Sequence, residues 1–87
     1  MRYWLFDSIK SGEEFDRELD ARTMAEAVEI ATAEWNGLSK HDRERREDFF
    51  VGAIPEACVY ECDLMGWGYY DAVSEIVDIK AGEGVNE

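Results

Sequence analysis

The chain is poor in the residues from which most catalytic and metal sites are built: among 87 residues it has one histidine, His41, two cysteines, Cys58 and Cys62, and one proline, Pro55. Two thiols are too few for a disulfide scaffold and fit a reducing compartment in which they stay free. A structural zinc site wants four ligands, commonly two close pairs, and His41 with the two cysteines supplies at most three, so neither metal nor cofactor is expected. On a strand Cys58 and Cys62 would lie about 13 Å apart, beyond disulfide reach. Basic residues are scarce too, 9 Lys+Arg against 21 Asp+Glu for a formal charge of -12. A surface of that sign repels phosphates and anionic membranes, which argues against direct binding to nucleic acid or lipid. No apolar run approaches the roughly 18 residues that span a bilayer, and Asp7 arrives too early for a signal-peptide core, so a cytoplasmic protein is expected.

The familiar catalytic patterns are also missing. His41 sits in the most charged stretch of the chain, without pocket-forming apolar neighbours, and reads as a solvated helix residue rather than a base for a thiol. Gly66-Trp67-Gly68 lacks both the lysine and the strand-to-helix setting of a phosphate cradle. Carboxylate pairs have no specificity where 21 acids crowd one small surface. No catalytic residue is nominated, and the chain is expected not to be an enzyme.

What is present is enough apolar material for a core, 46% hydrophobic and 13% aromatic, which sets the chain apart from a disordered acidic tail. A chain this short buries about 60 to 65% of its extendable surface, which allows one core. The expectation is a single domain over residues 1–81 with a flexible tail at 82–87.

Arg2 to Ile9 is apolar on both alternating faces, the mark of a strand covered on two sides. After the turn signal Lys10-Ser11-Gly12-Glu13, Phe15, Arg17, Leu19 and Ala21 alternate with Glu14, Asp16, Glu18 and Asp20, which predicts a hairpin partner with one acidic face. Thr23-Met24-Ala25-Glu26 fits a capping box, and Met24, Val28, Ala31, Trp35 and Leu38 form the stripe of a helix stopped by Asn36-Gly37. Ser39 opens a short charged helix ending near Glu47, and Phe49 to Ile54 reads as a strand closed by Pro55. Residues 69–80 match both helical and strand periods; a short turn or helix followed by an edge strand from Ile76 to Lys80 is preferred. The fold predicted is α+β: an antiparallel sheet of three to four strands with one main helix and a short second helix packed on one face, in the order β-β-α-α-β plus a C-terminal edge strand.

Charge is distributed in blocks. Lys40, Arg43, Arg45 and Arg46 make one basic island, either a docking patch or a solvated helix paired with the protein's own acids, whereas Glu47 to Ile79 holds eight acids and no Lys or Arg. On an extended strand Glu14, Asp16, Glu18 and Asp20 would project in a straight row at about 6.6 Å intervals. That samples roughly every second phosphate of a DNA strand, whose spacing is about 3.4 Å. Glu26, Glu29 and Glu34 on the next helix would widen the row into a patch. The competing reading of these acids is solubility alone. Trp67, Tyr69 and Tyr70 sit in a glycine-bracketed loop and are either interface anchors or caps on the small core.

The stretch Glu34-Trp35-Asn36-Gly37-Leu38-Ser39-Lys40-His41-Asp42-Arg43-Glu44-Arg45-Arg46, following Ala27-Val28-Glu29-Ile30-Ala31 and preceding Phe49-Phe50-Val51-Gly52, resembles a pattern found in small acidic proteins of bacterial mobile elements and gut Firmicutes. The resemblance spans about half the chain and brings no catalytic residue or cofactor. It implies a genomic setting in which small acidic inhibitors of nucleases, restriction enzymes or RNA-guided defence complexes have similar size and charge. The leading expectation is a non-enzymatic module that places acidic faces in a basic, nucleic-acid-binding groove of another protein, as an anti-CRISPR or anti-restriction inhibitor would. The alternative is an accessory domain that self-associates, for example as a homodimer, and a third, metal-dependent enzyme would require bound metal.

Overall fold

β1 (Arg2–Ile9) is apolar on both faces because it lies inside a sheet with a layer on each side. The computed structural model describes residues 1–80; residue 81 and the tail expected at 82–87 lie outside the described residues. Four antiparallel strands follow the order β2-β1-β3-β4, with β2 Arg17–Leu19, β3 Arg46–Ile54 and β4 Glu75–Asp78. The α+β architecture is as expected.

On one face Tyr3, Leu5, Leu19, Phe49, Val51 and Ala53 pack under α1 (Met24–Gly37) through Ala27 and Ala31. Two alanines at the centre of the helix face let its backbone come close to the sheet, and Trp35 leans on Phe49 with ring centroids 5.0 Å apart. The cap is the one the sequence advertised: Thr23 Oγ1 accepts from the Glu26 amide and the Glu26 carboxylate accepts from the Arg22 amide. α2 (Lys40–Arg45) buries none of its residues.

The opposite face holds Trp4, Phe6, Phe50 and Ile54 and is covered by α3 (Glu56–Met65), then by a 3-10 turn over Tyr69–Ala72. The strand-based spacing of Cys58 and Cys62 is corrected by this helix, which places them one turn apart. Pro55 both closes β3 and starts α3, its fixed φ of -58° suiting the helix entrance. Gly52 is required where the second layer meets the sheet: a Cβ there would lie 2.8 Å from Phe6 Cε2 and 3.0 Å from Val73 Cγ2.

The predicted second strand is shortened. Only Arg17–Leu19 pairs with β1; Phe15 is 46% exposed, and Glu14 contributes an isolated bridge to Ser8. The cause is local: the Phe15 amide donates to the Asp7 carbonyl, and the Asp7 amide donates to the side chain of Asp16 rather than to a backbone partner. β4 begins one residue earlier than predicted and ends at Asp78, after which the Ile79 and Lys80 amides both donate to the Phe49 carbonyl.

Candidate interaction surface

The strand that was to hold Glu14, Asp16, Glu18 and Asp20 in line covers only one of them. Glu18 is gripped by Arg2, whose Nε and Nη2 donate to its two carboxylate oxygens at 2.7 and 2.8 Å. This pairing holds the Glu18 carboxyl below its ordinary range and the Arg2 guanidinium above its own. Arg2 also reaches Glu56 at 3.4 Å and lies over the Trp4 ring, so it links β1, β2 and α3. Asp16 is raised above its ordinary value, first by burial and then by the charges of Glu14, Asp7 and Asp48, against the lowering effect of the Asp7 amide. The evenly spaced row of free carboxylates is thereby corrected: one member is neutralised and another is folded back onto β1.

Glu26, Glu29 and Glu34 do not extend that group. They ride on α1, whereas Glu18, opposite Trp4 in the register, faces the α3 side. Glu26 serves the helix cap, Glu34 is ion-paired with Arg17, and Glu29 is exposed on the outer surface of α1. Half of the basic island, Arg43 and Arg46, is spent on the fold, while Lys40 and Arg45 are exposed. Arg43 donates to the Trp35 and Asn36 carbonyls at the end of α1, a favourable place for a cation, and Arg46 lies 2.8 Å from Asp7.

The three aromatic candidates have separate environments. Tyr69 is half-buried, stacked on Trp4 at 4.5 Å, with its hydroxyl donating to Asp63, which together with burial raises its ordinary pKa. Tyr70 sets its edge against Phe6 and Phe50 and leaves its other side exposed. Trp67 is 56% exposed and does not fold back over the core. Its direction follows from Gly66, which adopts φ +74° at the end of α3 and lets the Gly66 and Trp67 amides both donate to the Cys62 carbonyl.

Beside Trp67 the chain forms a pocket of about 350 Å³ lined by Cys58, Glu61, Cys62, Trp67, Gly68, Asp71 and Ala72. Burial, then the neighbouring Cys58 and acids, raises the Cys62 thiol above its ordinary value, which keeps it in the weakly nucleophilic protonated form. Tyr60, Leu64 and Met65 are further exposed apolar side chains on α3, outside the pocket lining. Glu61, Asp71 and Glu75 make no ion pair or side-chain hydrogen bond among the described residues. No group of three or more His, Cys, Asp and Glu side chains there is placed to hold a metal ion, and no helix there is long and apolar enough to cross a membrane.

Tyr60, Glu61, Leu64 and Met65 were not singled out by sequence because α3 was not, and Asp71, on the 3-10 turn, gains its place only from the pocket that α3 closes. The signals of α3 were present: Pro55 at the start, Gly66 just past the end, and Cys58, Val59 and Cys62 at steps of one, three and four. No family profile, curated protein or solved structure matches the chain.

Proposed function

We propose that the protein is a non-enzymatic binding module of the cytoplasm that engages a basic surface of another protein, namely a nucleic-acid-binding groove of a host defence protein of the CRISPR or restriction type, and competes with nucleic acid there. One observation supports this reading above the others: charge is one-sided. From Glu47 to Ile79 the chain has no Lys or Arg, and on the α3 side unpaired acids flank exposed aromatic side chains. Carboxylates without internal partners steer a cationic partner and set its orientation, while exposed aromatic rings add the desolvated anchoring that charge alone does not supply. Mimicry in this form rests on charge sign and density rather than on a ruler of evenly spaced acids.

The test is capture from a cell lysate on immobilised protein. Captured proteins are expected to elute as salt rises and to be released by duplex DNA or RNA added at constant ionic strength. Capture that survives high salt, or that nucleic acid leaves undiminished, overturns the reading. A second reading, self-association as a homodimer, is favoured by the exposed Tyr60, Leu64 and Met65, and predicts a sedimentation coefficient that grows with concentration and persists at high salt.

A further inference from the structure

We propose that the pocket between α3 and the 3-10 turn receives an arginine side chain of the protein partner, with an apolar neighbour of that arginine resting on Leu64 and Met65; this rests on the reading of a basic partner given above. The pocket offers an indole wall at Trp67 and two carboxylates, Glu61 and Asp71, that nothing among the described residues neutralises. A planar guanidinium suits both components, since it stacks on an aromatic face and donates to carboxylates in the same plane.

Charge complementarity selects this occupant over the others. A neutral apolar ligand would strip water from two carboxylates and return no hydrogen bonds, and an anionic one would be repelled. A second copy docked face to face would set Glu61, Asp63 and Asp71 against their own counterparts. The cation nearest in sequence, Lys80, lies nine residues beyond Asp71, and Arg2, on the same side of the sheet, is already bound to Glu18 and Glu56.

The test uses the full chain and a short acetylated peptide of alternating arginine and leucine, with the citrulline analogue as a neutral control of the same shape. Binding is read by calorimetry and by the fluorescence of the exposed Trp67. The arginine peptide is expected to bind and the citrulline peptide to bind about tenfold more weakly or worse. Trp67→Ala, and Glu61→Gln combined with Asp71→Asn, should each weaken binding by about tenfold, while Glu26→Gln with Glu29→Gln on α1 leaves it unchanged. All these positions are exposed, and an unchanged circular dichroism spectrum confirms that each variant folds. Equal loss in the α1 variant overturns the pocket while leaving the acidic-module reading intact. Failure of the arginine peptide to bind, or equal binding of both peptides, overturns the pocket outright. Loss of lysate capture that nucleic acid can release, with peptide binding intact, overturns the functional reading instead. Self-association abolished by Lys40→Glu with Arg45→Glu replaces the partner by the basic helix of a second copy.

Discussion

Asp7 is the residue on which the connection between β1 and β2 turns. Its side chain is only 5% exposed, on the α1 side of the sheet. Arg46 Nε stands 2.8 Å from one carboxylate oxygen and Arg17 Nη1 3.5 Å from the other, but the Arg46 contact is not aligned as a hydrogen bond, so its attraction is chiefly Coulombic. Meanwhile the Asp7 backbone takes the Phe15 amide and gives its own amide to Asp16. A buried pair of this kind adds little compared with an apolar pair of the same volume, yet loss of one partner leaves a charge stranded out of water. Arg46→Met is therefore expected to destabilise the domain by about 3 kcal/mol in urea unfolding, and Asp7→Leu added to Arg46→Met to restore most of that loss. A single Arg46→Met variant as stable as the parent would mean that Arg17 alone satisfies Asp7.

At the scale of elements, the end of α3 decides where Trp67 goes. Gly66 sits at φ +74° with open space around the position of a Cβ, so an alanine there meets no clash and suffers only the left-handed backbone. Gly66→Ala should cost about 1 kcal/mol and, at this chain length, lower Tm by roughly 4–8 °C. Gly37→Ala, at the last residue of α1 with equal space and no positive φ, should be neutral or stabilising. A Gly66→Ala variant as stable as the parent would show that α3 frays before its cap.

These two helices also mark what sequence could and could not reveal. α1 was legible because Thr23 and Glu26 announce its start and its stripe lies on a single face. β1 and β3 were legible because strands covered on both sides cannot hide their apolar runs. α3 was not, since it buries only Val59 and Cys62 and keeps Tyr60, Leu64 and Met65 outside, leaving no clean stripe to read. The acidic row failed for a different reason: alternation from Glu14 to Asp20 was real, but a side chain, Asp16, took the hydrogen bond that a longer ladder would have used. Whether Trp67 points inward or outward depends on the cap of a helix that the pattern did not disclose.

For the whole molecule the governing quantity is a charge of -12, which opposes compaction at low ionic strength and makes salt stabilising. Two carboxyls with opposite shifts then shape the pH dependence. Asp16 is raised above its ordinary 3.8, so its contribution is present below that value and is lost as pH rises through its folded pKa; acidification from neutrality therefore first stabilises the protein. Glu18 is lowered below its ordinary 4.5, so its contribution is present above that value and is lost as pH falls through its folded pKa, when the grip of Arg2 is released. Exposure of the Arg2–Glu18 pair and screening by salt make the second effect the more salt-sensitive of the two, because part of the Asp16 shift comes from burial, which salt does not screen. Urea midpoints measured from neutral to acid pH should pass through a maximum. Asp16→Asn should flatten the rise on its alkaline side, and Glu18→Gln the fall on its acid side. A midpoint that declines steadily from neutrality would show that Asp16 is freely solvated and that the fold meets no charge stress at the start of β2.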